Sequence, residues 1–131
     1  MPHRVYKDAL YEQFARIGHA VSSPKRIELL DLLSQGEKRV ETLAEQSAMP
    51  VKNTSAHLRV LRQARLVERR RDASSIYYRL AGDGVFRFLR DLQTLGRDRL
   101  AEVEQVTRKY LAGRDSLEPV MMGKSSVGRE A

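Results

Sequence analysis

The chain has 131 residues, 41% of them hydrophobic, which is room for one domain with a core that is lean for a monomer and better served by a partner subunit. Its 24 Lys and Arg against 17 Asp and Glu leave a net charge of +7, a balance suited to a polyanion such as nucleic acid and equally to a ribosome or a membrane surface. The absence of cysteine excludes disulfides, thiolate metal ligands, redox switches and cysteine nucleophiles. With no apolar run near the ~20 residues of a membrane span and no apolar leader at the start, the expectation is a cytoplasmic protein with no membrane partner.

In chain order, Leu10, Phe14, Ile17 and Val21 recur at helical spacing and predict a first amphipathic helix over residues 5–21. Ser22-Ser23-Pro24 then stops and restarts the chain, Ser23 as N-cap and Pro24 at the first helical position. The second helix runs to Ser34, burying Ile27, Leu30 and Leu33, and Gln35-Gly36 ends it. A two-turn helix from Val40 to Ser47, with Val40, Leu43 and Ala44 inward, breaks at Ala48-Met49-Pro50. The next helix covers Val51 to Ala64 with Val51, Leu58 and Leu61 on its apolar side, and the two short helices with their tight turn form a helix-turn-helix.

The period then changes. Leu66-Val67 and Ile76-Tyr77-Tyr78 favour β-structure and flank a polar stretch, Arg69 to Ser75, that can turn. A hairpin is predicted there. A long last helix is expected from Gly84 to Leu111, its stripe of Val85, Phe88, Leu89, Leu92, Leu95, Leu100, Val103, Val106 and Tyr110 serving as core or dimer seam. Glu104 and Arg108 add a charge pair four residues apart. Residues 113–131 read as a mobile tail, leaving 1–112 as the single domain. The fold class is thus mainly α with a small β-hairpin.

Charge is concentrated, since Val51 to Arg79 holds eight basic residues against two acidic ones, six of the seven net charges of the chain. A helix entering the major groove needs short polar or basic side chains on its first two turns, and Lys52, Asn53, Ser55 and Arg59 are of that kind. Asn pairs bidentately with adenine, and Lys donates to guanine. Thr54, Ser55 and His57 can equally bond phosphate, which sets register without reading sequence. Arg62 lies on the same helix, and Arg69, Arg70 and Arg71 precede the hairpin tip, placed to track the backbone or enter the minor groove. The three histidines, His3, His19 and His57, are isolated, so no metal site is expected. No phosphate-cradling glycine loop, paired catalytic carboxylates or nucleophile elbow is present, and no enzyme or cofactor is expected.

The run NTSAHLRVLRQARLVERRR (53–71), followed by IYYRL (76–80) and preceded by SSPKRIELLDLLSQGEKRVETLAE (22–45), resembles the recognition helix, wing and leading helices of arsenic-repressor (ArsR) type regulators over about the first 110 residues. The resemblance implies a winged helix-turn-helix homodimer joined through its first and last helices, repressing transcription from imperfectly palindromic double-stranded DNA. A non-specific architectural nucleic-acid-binding dimer is the alternative. Members of that family commonly sense metals through cysteines in the third helix or through Asp, His and Glu in the last. Residues 38–44 carry no thiol and the last helix no histidine, so a small-molecule effector, if there is one, is of another kind or binds elsewhere. Ala48, Arg65 and Ala73 stand where the family commonly has glycine, and Pro50 where it has a serine cap. A non-glycine residue at positive φ costs roughly 1 kcal/mol, so these three turns either shift their geometry or carry that cost.

Overall fold

The computed structural model of the chain describes residues 2–117, with the backbone alone at 101, 102 and 114–117. Two compact units are present, Met1–Arg90 and Asp91–Ala131. In the first, helices α1 (Pro2–Ala20) and α2 (Pro24–Leu33) are followed by strand β1 (Lys38–Arg39), helices α3 (Val40–Gln46) and α4 (Val51–Gln63), and strands β2 (Val67–Asp72) and β3 (Ser75–Leu80). Helix α5 (Asp83–Arg99) comes next and α6 (Ala101–Leu117) after it. The antiparallel strands lie in the order β1-β3-β2. This is a winged helix-turn-helix, mainly helical with a small sheet as expected; the two-residue β1, paired through Lys38↔Tyr78 and Arg39↔Tyr77, was too short to leave a period in the sequence.

The predicted caps form. The Ser23 hydroxyl accepts from the Arg26 N–H with Pro24 at the first position of α2, and Gly36 closes the turn after that helix at φ 137°, open to glycine and strained for other residues. The core gathers Leu29, Leu30, Leu33, Leu43, Leu58, Leu61, Leu66, Val67, Tyr78 and Leu89. One apolar assignment fails: Val51 is 46% exposed in the first turn of α4, while Thr54 is fully buried. The core side of α4 is therefore Thr54, Leu58 and Leu61, spaced four and three apart, with Val51 just outside it.

The hairpin is longer than predicted. Asp72↔Ser75 is already a strand pair, so the turn is Ala73-Ser74 alone, and Arg69 to Arg71 lie within β2. Ala48, Arg65 and Ala73 hold φ values of 57°, 63° and 58°, so the turns keep left-handed geometry and the chain carries the cost of about 1 kcal/mol at each.

Two adjacent cations at the start of α2 fix its neighbours. Arg26 donates from Nε to Ala20 O (2.7 Å) and from Nη2 to His19 O (3.1 Å), placing positive charge on the carbonyls that end α1. Lys25 Nζ does the same for α3, donating to Ser47 O at 2.6 Å.

The predicted single last helix is two helices. At Leu100 the N–H reaches back only three residues, to Arg97 O (3.4 Å), and the Leu100 carbonyl accepts from the N–H groups of Val103 and Glu104. The four-residue ladder is interrupted there without a proline or glycine at the break. Gly113, where the tail was expected to begin, lies inside α6, which continues to Leu117; residues 118–131 of that expected tail lie outside the described residues. The Glu104–Arg108 pair forms at 3.1 Å.

Candidate nucleic-acid interface

Helix α4 opens after Pro50, which has φ −60° and ψ 151° and offers no side-chain cap. Its first free turn therefore presents Lys52 and Asn53 to solvent, both exposed. One and two turns further on, the same side carries Ala56, Arg59 and Gln63, all exposed, with Ser55 half-buried beside them. Ala56 and Gln63 belong to this face by position although their residue types drew no attention in the sequence. An alanine methyl suits contact with thymine, and a glutamine can read adenine.

Three candidates on α4 stand elsewhere. The Thr54 hydroxyl is turned inward and donates to Pro50 O at 3.0 Å, so the phosphate role expected of it is corrected: the group is buried and already bonded. His57 is half-buried, its Nδ1 3.2 Å from Arg26 Nη1. A guanidinium only donates, so Nδ1 accepts and Nε2 is left to carry the ring proton. Arg62 is half-buried, and its Nε is buried without a hydrogen-bond partner.

The wing separates the three arginines by the pleat of its strand. Side chains alternate across β2, and cross-strand pairing sets Arg69 opposite the buried Tyr78, Arg70 opposite Tyr77 and Arg71 opposite Ile76. Arg69 shares a cavity with Ser55, Arg59 and Arg62 of α4. Arg71 is exposed near the turn. Arg70 projects from the other face, stacked 4.6 Å from the centroid of the Tyr77 ring and bound to Glu37 through Nε and Nη2, both at 2.8 Å. That hydrogen bond, with the charge of Arg70 behind it, holds the Glu37 carboxyl below its usual range and raises the Arg70 guanidinium. Arg70, expected to hold phosphate, is thus engaged in a strut between the wing and the loop before β1. Arg79 is likewise paired, with Glu68 at 3.0 Å.

Among the basic residues of α4 and the wing, Lys52, Arg59, Arg62, Arg69 and Arg71 form no ion pair, and neither does Arg65 in the turn between them. No cluster of three or more metal-ligating side chains occurs among the described residues, and no helix among them is long and apolar enough to cross a membrane.

The winged helix-turn-helix is also the architecture of known regulators. The family described as bacterial regulatory protein, arsR family, matches residues 23–69, and the nodulation protein NolR of Rhizobium meliloti is 35% identical over 80% of this chain and 84% of its own length. The chain belongs to the ArsR family. The HTH-type transcriptional regulator Rv0324 of Mycobacterium tuberculosis is 41% identical over 74% of the chain, which spans only 43% of that relative's length. Among solved structures, the homodimeric winged helix-turn-helix DNA-binding domain of Mb0332 from Mycobacterium bovis, described as a possible ArsR-family regulator, superposes with a TM-score of 0.70 at 40% identity, covering 73% of this chain and 89% of that one. NolR from Sinorhizobium fredii superposes with a TM-score of 0.63 at 36% identity, over 69% of this chain and 90% of that one. By family this ArsR-type chain belongs to a class of DNA-binding transcriptional regulators.

Proposed function

We propose that the protein is a cytoplasmic repressor that binds a palindromic operator as a homodimer, placing two copies of α4 in successive major grooves. Lys52, Asn53, Ser55 and Arg59 read bases, while Arg62, Arg69, Arg71 and the free Nε2 of His57 hold phosphates. The reading rests above all on the exposed, carboxylate-free run of cations across α4 and the wing, since positive groups lacking internal partners are those left to displace counterions from DNA.

Dimerisation is supported by apolar surface. In a single chain, Val5, Tyr6, Tyr11 and Phe14 of α1 are exposed, and so are Leu95, Leu100, Val103 and Val106 in the second unit. Such a set calls for cover by another surface, and the relative from M. bovis is described as homodimeric. An effector, if this regulator has one, is a molecule that neither thiols nor a histidine-bearing last helix would hold.

Retention of duplex DNA by the purified chain tests the interface. Substituting Lys52→Ala, Arg59→Ala and Arg71→Ala together should abolish retention at physiological salt while the circular dichroism spectrum is kept. Undiminished retention would overturn the assignment.

A further inference from the structure

Between α1, the end of α4 and the start of α5 lies a cavity of about 700 Å3, within the roughly 300–1,000 Å3 of pockets that take small organic molecules. Its walls are apolar. Leu66 is buried, and Ile17, Ala64 and Val85 are half-buried and packed against the core, with Phe14 and Phe88 exposed beside them. The lining also carries two cations, Arg16 and Arg65, and no carboxylate. Neither guanidinium forms an ion pair or a side-chain hydrogen bond among the described residues, and neither belongs to the DNA face assigned above. The place of the cavity in the fold gives an occupant leverage. Residues 64–66 join α4 to β2 and residues 81–82 join β3 to α5, so both ends of the wing border it. The two joints are tied together, the Ala81 N–H donating to Leu66 O (3.0 Å) and the Leu66 N–H to Leu61 O of α4 (2.9 Å). Arg65 itself sits at φ 63°, a conformation that persists only while its surroundings enforce it.

We infer that this cavity is an effector site for an apolar molecule bearing a carboxylate. The apolar body lies against Leu66, Val85 and the two phenylalanines, and the carboxylate accepts from Arg16 or Arg65, whose planar guanidinium matches it in charge and geometry. A second copy would cover the walls with an apolar helix face but would leave two unopposed cations without a purpose. The ligand follows from the cavity alone, whereas its regulatory effect rests on the DNA reading above. An anion held at the joint of recognition helix and wing neutralises part of the positive field that attracts DNA, and so lowers duplex affinity. By linkage, the bound duplex lowers affinity for the anion by the same factor.

The test titrates cinnamate, and cinnamyl alcohol as its uncharged counterpart, into the full chain while the methyl resonances of Leu66 and Val85 are followed by NMR. Saturable shifts with cinnamate are expected, at an affinity at least ~10-fold above that of the alcohol, the worth of a hydrogen bond between charged partners. Arg16→Gln with Arg65→Gln, both at exposed positions outside the DNA face, should erase that preference with the fold intact by circular dichroism. Affinity for a duplex selected from a random pool, read by fluorescence anisotropy, should fall severalfold in cinnamate relative to chloride at equal ionic strength. Unchanged duplex affinity at saturating cinnamate would overturn the effector role. No saturable shift, or equal affinity for acid and alcohol, overturns the site itself. Contacts from a second copy to the Val85 methyls in a mixed-label sample, with no uptake of cinnamate, overturn it in favour of a dimer seam. Failure of the untreated chain to bind any duplex strikes the DNA reading and with it the regulation, and the NMR titration then decides the ligand site on its own.

Discussion

Asn53 and Arg71 illustrate two kinds of contact that a residue at this interface can make. Asn53 is exposed on the first turn of α4, short, and matched to the donor and acceptor edge of adenine. Replacing it with alanine should cost about 1–3 kcal/mol at one operator position and little at others, measured against duplexes varied base by base. Arg71→Ala should instead weaken all sequences alike and reduce the salt slope by about one; a sequence-dependent loss would place Arg71 at a base. Ala73 shows a residue-scale cost unrelated to recognition. At φ 58° in a two-residue turn it occupies a position suited to glycine. Ala73→Gly should stabilise the fold by up to about 0.6 kcal/mol, the roughly 1 kcal/mol relief of left-handed strain less the ~0.4–1 kcal/mol of added freedom in the unfolded chain, as read from chemical denaturation. A destabilised variant would show that the turn is unstrained. Glycine's usual place at these turns was legible from the sequence, and so was its replacement here, but only the backbone angles decided that the strain is kept.

At the scale of elements, local signals carried far and paired ones did not. Ser23-Pro24, Gly36 and Pro50 each act within a turn of themselves, and the helix limits they implied fall within a few residues of those observed. The Glu37–Arg70 strut joins residues 33 apart and the Arg26–His57 contact residues 31 apart, and nothing in residue type or spacing marks such partners in advance. Three consecutive arginines look alike in a sequence; the pleat of β2 is what sends Arg70 to Glu37 and leaves Arg69 and Arg71 with α4 and the turn. The strut has a pH signature. Because the folded Glu37 titrates below its ordinary value of 4.5, its contribution is complete above that value and is lost as the pH falls through the lower folded one. The guanidinium stays charged throughout. Below pH 4.5 the wing amides of wild type should lose hydrogen-exchange protection more steeply than those of Glu37→Gln, in which this titration is absent. Identical profiles for the two proteins would remove the strut from the account of wing stability.

For the whole molecule, the apolar stripe of the last helices was legible as a pattern, but a pattern does not say whether it faces a core or a second copy. Nor did it disclose the break at Leu100, where no proline or glycine interrupts the helix. The exposure of Val103 and Val106, 50% and 64% in a single chain, favours a partner. Sedimentation equilibrium should therefore give a mass near twice 15.0 kDa, and Val103→Glu with Val106→Glu should shift it toward the monomer by placing charge in an apolar seam. A monomeric wild type would leave one recognition helix per molecule and remove the reason for a palindromic operator.

The central claim is that two recognition helices read DNA sequence together. Selection of bound duplexes from a random pool, with the full chain at physiological salt, tests it most directly. The expected product is an inverted repeat whose half-sites lie about 10 base pairs, one helical turn, apart. A pool that remains random after repeated selection would contradict sequence-specific recognition and favour an architectural nucleic-acid-binding dimer.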